Sequence, residues 1–303
     1  MKVAAGIVQY RFWPGISDTI QAIQAQTRPP DELFVYDHAS QDGSVERIRE
    51  AHPGVEVIEA PVNGGPGAGS HALLEALAAR DADAVLFLTH NARLSPDALE
   101  HLVARLEAEP GLGAAGPLIG YADEPDRVFF AGGTIDPRTW DIGFRHVPES
   151  MAAWDGAPPH EADWMELAGL LMRTDAVRQT GELFVGYFYQ YDDNDFTVRM
   201  RSKGWRLEVV PAARAWKQPG ERSTYLEVRN RLGFVNRTAP RRVLARELVR
   251  AAWFTLRHTW RPAPDKTRQY EFRSRSRAII DFLRGRWGEP PESIRRLGAG
   301  RYG

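Results

Sequence analysis

The chain has 303 residues, 43% hydrophobic and 26% charged, with a formal net charge of -1, which suits one large α/β domain or two modest ones. That charge gives no reason to expect nucleic acid as a partner, and the absence of cysteine excludes disulfides and thiolate metal sites. The first eight residues turn polar too soon for a secretory signal, and no apolar run approaches the roughly 20 residues that span a bilayer, so the expectation is a cytoplasmic protein.

Residues 3–10 form a continuous apolar run, as in a strand buried on both faces. Ser17 stands where it can cap a helix reaching Gln26, which Arg28, Pro29 and Pro30 stop. A strand follows at 32–37, a helix at 41–51, a strand at 55–60, a helix at 66–80 and a strand at 84–88. Ser95, Pro96 and Asp97 open a helix over 95–107, and 113–117 reads as a further short strand. Turn signals at Gly132-Gly133 and Asp136-Pro137 predict a hairpin within 126–159, followed by a mobile loop rich in Pro and Gly. Beyond it the pattern predicts a strand at 164–172, helices at 174–180 and 193–203, and a strand at 205–210 ending on Pro211. From 224 to 288 the pattern is helical, broken at Pro240 and at Arg261-Pro262-Ala263-Pro264.

Strands alternating with helices give an α/β fold, a mostly parallel sheet flanked by helices. Ligands of such sheets lie beyond the carboxyl ends of the strands, where Tyr10, Asp37 and the tip Thr89-His90-Asn91 converge. After Pro240, basic residues (Arg241, Arg242, Arg246, Arg250, Arg257 and others) outnumber acids. Such a run is either a solvated helical face or a docking surface for a membrane leaflet or an acidic carrier protein.

Five stretches stand in a shared order: 26–32 (QTRPPDE) with 35–44 (VYDHASQDGS), 63–69 (NGGPGAG), 191–196 (YDDNDF), 204–207 (GWRL) and 225–231 (YLEVRNR). In that order they resemble the family-two inverting glycosyltransferases of the GT-A fold, the bacterial rhamnosyltransferase-like members especially. The resemblance runs from Val3 to Arg237. It implies a GT-A domain over 1–239, a basic helical extension over 240–303, and transfer of a sugar from a UDP- or dTDP-linked donor with inversion at the anomeric carbon.

The donor-binding residues it implies are Val8, Gln9, Tyr10, Arg11, Asp37, Asn63, Gly64, Gly65, Thr89, His90, Asn91 and Lys217. A carboxylate such as Asp37 accepts hydrogen bonds only, which selects ring N–H and ribose O–H groups; the other reading is an Asx-type turn residue. Tyr10 suits stacking on a base, or plain packing. The glycines let backbone approach a ligand or simply open a helix. Asp193 maps onto the general base, with Asp192 beside it, because the attacking acceptor must lose a proton; the other reading has these acids stabilising a helix N-terminus. Trp164, Gly169, Tyr189 and Arg229 are the implied acceptor-binding residues.

Two departures from the family stand out. Its strand tip carries aspartates that hold a divalent metal, where this chain has Thr89-His90-Asn91, and Lys217 stands where a histidine is common. Mg²⁺ and Mn²⁺ favour oxygen ligands, so no metal ligand is assigned and no cofactor is firmly implied. The expectation is that Lys217, helped by His90, neutralises the leaving diphosphate; a weaker Mg²⁺ or Mn²⁺ site at His90 and Asn91, or a binding-only relative, are the alternatives. The acceptor is expected to be a small molecule or bound to a carrier protein, with a lipid-linked or cell-envelope glycan as the alternative. The extension offers a peripheral membrane contact or a homo-oligomer interface.

Overall fold

The computed structural model describes residues 1–145, 149–220, 222–260 and 265–299. Its first half alternates as expected: β1 (Val3–Gln9), α1 (Gly15–Gln24), β2 (Glu32–Asp37), α2 (Ser44–Ala51), β3 (Glu56–Glu59), α3 (Pro66–Ala78) and β4 (Ala84–Thr89). There follow β5 (Arg93–Leu94), α4 (Ala98–Ala108), β6 (Leu112–Tyr121), β7 (Val128–Phe130), β8 (Gly133–Ile135), β9 (Ile142–Phe144), β10 (His160–Glu161) and β11 (Leu170–Arg173). The rest is α5 (Thr174–Thr180), α6 (Asp192–Ser202), β12 (Arg206–Lys217), α7 (Thr224–Thr238), α8 (Arg241–Trp260), α9 (Asp265–Leu283) and α10 (Glu292–Ala299).

The main sheet has ten strands, with the path β10-β12-β6-β11-β4-β1-β2-β3. β3, β2, β1 and β4 are mutually parallel, β12 is parallel to β6, and β11 runs antiparallel between β4 and β6. β1 reads as an unbroken apolar run because both of its faces are covered: Val3, Ala4, Ala5 and Ile7 are fully buried. A Cβ on Gly6 would stand 2.5 Å from Leu73 Cδ1, so glycine is what lets α3 lie that close to β1. Register then sets the edge of interest. Gln9 lies opposite Asp37 and Val8 opposite Thr89, so three parallel strands end at one level.

The departures from the sequence pattern have local causes. α1 begins at Gly15, so Ser17 sits in its first turn and bonds His52 Nε2 at 2.7 Å instead of capping. The 164–172 stretch is a strand only from Leu170; Gly169 has φ +80 and turns the chain into β11. β12 does not stop at Pro211. Its pairing with β6 shifts between Val210 and Arg214, then resumes to Lys217. Proline is tolerated there because an irregularity already interrupts the ladder. The expected hairpin is β8–β9, and the expected helix break at Arg261-Pro262-Ala263-Pro264 lies outside the described residues.

α7, α8 and α9 pack on one another. Tyr225, Leu226, Ala278 and Ile294 form a second small core there, and Glu289, beyond α9, reaches a cavity at the strand ends. The C-terminal helices are thus built onto the sheet domain. Among the described residues no helix is long and apolar enough to cross a membrane.

Candidate active site

Two cavities flank the turn that leads into α6. The first, of about 660 Å³, is lined by Val8, Gln9 and Tyr10 from the end of β1, by Asn63, Gly64 and Gly65, by Thr89 and His90, and by His38 and Phe188. Eight of the sequence-derived donor residues therefore converge on one space. The others do not. Asp37 is 2% exposed; its carboxylate accepts from the Ser40 N–H at 2.9 Å, from Ser40 Oγ and from Gln9 Nε2, which is the turn-forming role. Gln9 forms wall, its amide committed to Asp37, Ser40 and Ser44. Arg11 is exposed and donates to the Ser40 carbonyl at 2.9 Å. Asn91 is tied to Thr89 and to the Gln218 carbonyl, and Lys217 faces the second cavity.

His38 was missed from sequence. Its Nε2 accepts the Gly64 N–H at 3.0 Å, which leaves the ring proton on Nδ1. That atom is buried without a partner among the described residues. Burial lowers the pKa of His38, so the ring is neutral and keeps one unsatisfied N–H buried beside Gly69, behind the wall of the first cavity.

The β4 tip does not fit a hard dication. Thr89 Oγ1 donates to Asn91 Oδ1 at 3.1 Å and Asn91 Nδ2 to Gln218 O at 3.3 Å. His90 lies 4.4 Å from the Phe12 ring, centroid to centroid, and burial lowers its pKa. A neutral imidazole and an engaged amide are a poor substitute for the six or more oxygens such ions take. Among the described residues no three His, Asp or Glu side chains are grouped to hold a metal. Being neutral, His90 also lacks the positive charge expected of it.

The second cavity, of about 500 Å³, holds Asp192, Asp193, Glu166 and Lys217, with Trp164 and Tyr189 in its wall. Lys217 Nζ bonds Glu166 Oε2 at 2.5 Å, so it is no free cation awaiting a diphosphate. Burial pulls the pKa of Lys217 down, but Glu166, Asp193 and Asp192 together carry it above its ordinary value. Burial, then the charges of Glu166 and Asp192, hold Asp193 well above the usual carboxylate range, with Lys217 acting against them. Asp192 is raised too, chiefly by burial. Glu166 escaped notice because its stretch reads as strand, whereas it lies in the irregular approach to β11. Asp195 is different. Fully buried, it pairs with Arg199 at 2.9 Å and Arg237 at 3.0 Å, so it serves the packing of α6.

The turn before Asp192 is strained: Phe188, Gln190 and Tyr191 all have positive φ, at 68°, 66° and 73°, a region that costs non-glycine residues energy. Asn230 of α7 holds it, its Nδ2 lying 2.9, 2.8 and 3.0 Å from the carbonyls of Tyr187, Tyr189 and Gln190. Arg229, read from sequence as an acceptor residue, is corrected to the same task. It is fully buried and donates to the carbonyls of Gly186, Tyr187 and Gly288. Gly169 is likewise corrected: it is buried, and a Cβ there would lie 2.7 Å from Leu94 Cδ2. The glycine-rich stretch serves the turn as well, since a Cβ on Gly67 would lie 2.8 Å from the Phe188 carbonyl oxygen. Asn230→Ala is expected to cost about 1–3 kcal/mol by orphaning buried carbonyls. It should lower kcat more than it raises the KM for donor, as steady-state kinetics and thermal unfolding would show.

The profile of "Glycosyltransferase like family 2" matches residues 3–234. The N-acetylglucosaminyl-diphospho-decaprenol L-rhamnosyltransferase of Mycobacterium tuberculosis is 23% identical over 227 residues, covering 68% of this chain and 72% of that protein. The fold is similar to S. aureus TarS 1-349 (TM-score 0.61, 15% identity, 98% of this chain and 83% of that one). It is also similar to GalNAc-T7, solved with UDP, GalNAc and Mn2+ (TM-score 0.61, 13% identity, 78% of this chain); the chain spans about half, 48%, of that protein. With the match running through the sheet, both cavities and most of α7, the chain belongs to glycosyltransferase like family 2 and is a glycosyltransferase of the GT-A fold.

Proposed function

We propose that the protein transfers a sugar from a UDP- or dTDP-linked donor to an acceptor hydroxyl or amine with inversion at the anomeric carbon, and that Asp193 is the general base. The supporting observation is the division of labour in one short turn. Phe188 lines the first cavity and Asp193 the second, so a donor in the first meets an acceptor in the second across that turn. An acceptor held over Asp193 attacks the anomeric carbon from the side away from the nucleotide. Its proton passes to the Asp193 carboxylate, the new glycosidic bond forms, and the nucleoside diphosphate departs with the bonding electron pair. Burial and the neighbouring carboxylates raise the Asp193 pKa, which makes its carboxylate a stronger base than an ordinary one.

The departing diphosphate needs compensation for its charge. In the proposed mechanism it leaves without a divalent ion at the β4 tip, where Asn91 is held by the Gln218 carbonyl, while Lys217 stays paired with Glu166 beside the base. Exhaustive chelation should then leave turnover unchanged within about twofold, a metal contribution being worth several kcal/mol where one operates. Loss of activity restored by Mn²⁺ or Mg²⁺ would reject the metal-free step. A thermal-shift screen of nucleotide sugars, each with and without metal, identifies the donor: a ligand at about 100 times its Kd stabilises by about 2.7 kcal/mol.

A further inference from the structure

We propose that the outward face of α8 docks on an anionic lipid bilayer. Val249, Trp253 and Leu256 are 70%, 65% and 56% exposed. Spaced four and three residues apart, they form one stripe along the helix. Exposed Arg242, Arg246 and Arg257 flank that stripe, whereas Val243, Glu247 and Thr255 face inward. Glu247 is the one acid between Arg241 and Arg257, and it is buried against Arg250 at 2.9 Å and Arg231 at 3.5 Å. Over 241–257, α8 itself therefore sets no carboxylate on its outward face. Arg246 donates to a carbonyl, that of Arg138, and keeps its charge; Arg241, Arg242 and Arg257 form no ion pair among the described residues.

Tryptophan and aliphatic side chains in a basic border are the chemistry of a helix lying in a headgroup layer. An acidic protein surface would leave the apolar centre of the stripe unmatched. A second copy meeting the same face across a two-fold axis would set arginine against arginine. An anionic bilayer matches both halves. The surface also connects to the chemistry. A trough of about 380 Å³ beside α8 is lined by Ala251 and Phe254 together with Ile142, Tyr191 and Glu227, and those last three also line the cavity of Asp193. On the transferase reading, an acceptor carried in that lipid layer reaches the base along this trough, which makes the acceptor lipid-linked.

The test is co-sedimentation of the full chain with phosphatidylcholine vesicles, with and without phosphatidylglycerol. Binding is expected only where phosphatidylglycerol is present, and should weaken with salt. Each arginine near the surface is worth about fivefold in partition, so Arg241→Gln/Arg242→Gln/Arg257→Gln should bind about 100-fold more weakly, and Trp253→Ala about tenfold. All four positions are surface sites, and unchanged thermal unfolding would show that both variants keep the fold. No binding to the anionic vesicles, or binding indifferent to both variants, would overturn the proposal. So would a wild-type dimer that the same variants dissociate, since the stripe would then be a self-interface. Vesicle binding needs no turnover, so this proposal and the transferase mechanism fail separately.

Discussion

Asp193→Asn is expected to cut sugar transfer about 100- to 10,000-fold, the usual worth of a positioned base, while making the protein harder to unfold. The two effects share a cause. Burial and the neighbouring Glu166 and Asp192 push the Asp193 carboxyl well above its ordinary pKa, so the folded protein holds that proton more tightly than the unfolded chain does. A carboxyl shifted this way contributes stability below its unfolded pKa and loses that contribution as pH rises through its folded pKa. At neutral pH the charged form is therefore a burden on the fold. Asparagine removes the charge and keeps an oxygen for the Asn194 N–H, now accepted at 2.8 Å. The variant should show a higher Tm than wild type at neutral pH, and the gap should close as pH falls through the raised pKa. A variant with wild-type turnover would mean that the base lies elsewhere; one with lower Tm throughout would mean that the carboxylate stabilises the turn.

Lys217→Met should be costly on both counts. It leaves Glu166 beside Asp192 and Asp193 with its bonded counter-charge gone, and breaking such a pair costs about 3 kcal/mol. It also removes the charge that opposes the upward shift of Asp193. The acidic limb of the pH–rate profile should therefore move up, and turnover near neutrality should fall about 100-fold or more. Glu166→Gln should do the opposite to the limb. Removing that negative charge lowers the pKa of Asp193 directly and frees the Lys217 ammonium to lower it further. Opposite movements in the two variants would establish the electrostatic coupling. A limb that stays put in both would leave Lys217 and Glu166 only a structural pair.

The strand-and-helix frame was legible because buried parallel strands announce themselves as apolar runs, and because their register aligns Gln9, Asp37 and Thr89 without help from distant residues. The convergence of Tyr10, Thr89 and His90 followed from that frame, whereas Val8 and Asn63 came from the family resemblance. What escaped depends on contacts made across the fold. Arg229 and Asn230 look like the polar face of an exposed helix; they are buried because α9 and the Gly288 segment close over α7. Proline at 211 reads as a strand end, yet β12 resumes beyond it and carries Lys217 to Glu166 rather than to the cavity at the strand ends. Asp37 was ambiguous by nature, since one carboxylate serves equally for a nucleoside and for an Asx turn, and only the position of Gln9 and Ser40 decides which is satisfied.

Inverting transfer driven by Asp193 would be read in the configuration of the first-formed product. The nucleotide sugar that stabilises the protein in the thermal-shift screen would be turned over into water in the absence of acceptor, and the anomer released would be read by NMR before mutarotation. An anomer opposite to that of the donor is expected, formed at a rate that collapses in Asp193→Asn. Release of the same anomer as in the donor, or an undiminished rate in that variant, would contradict it.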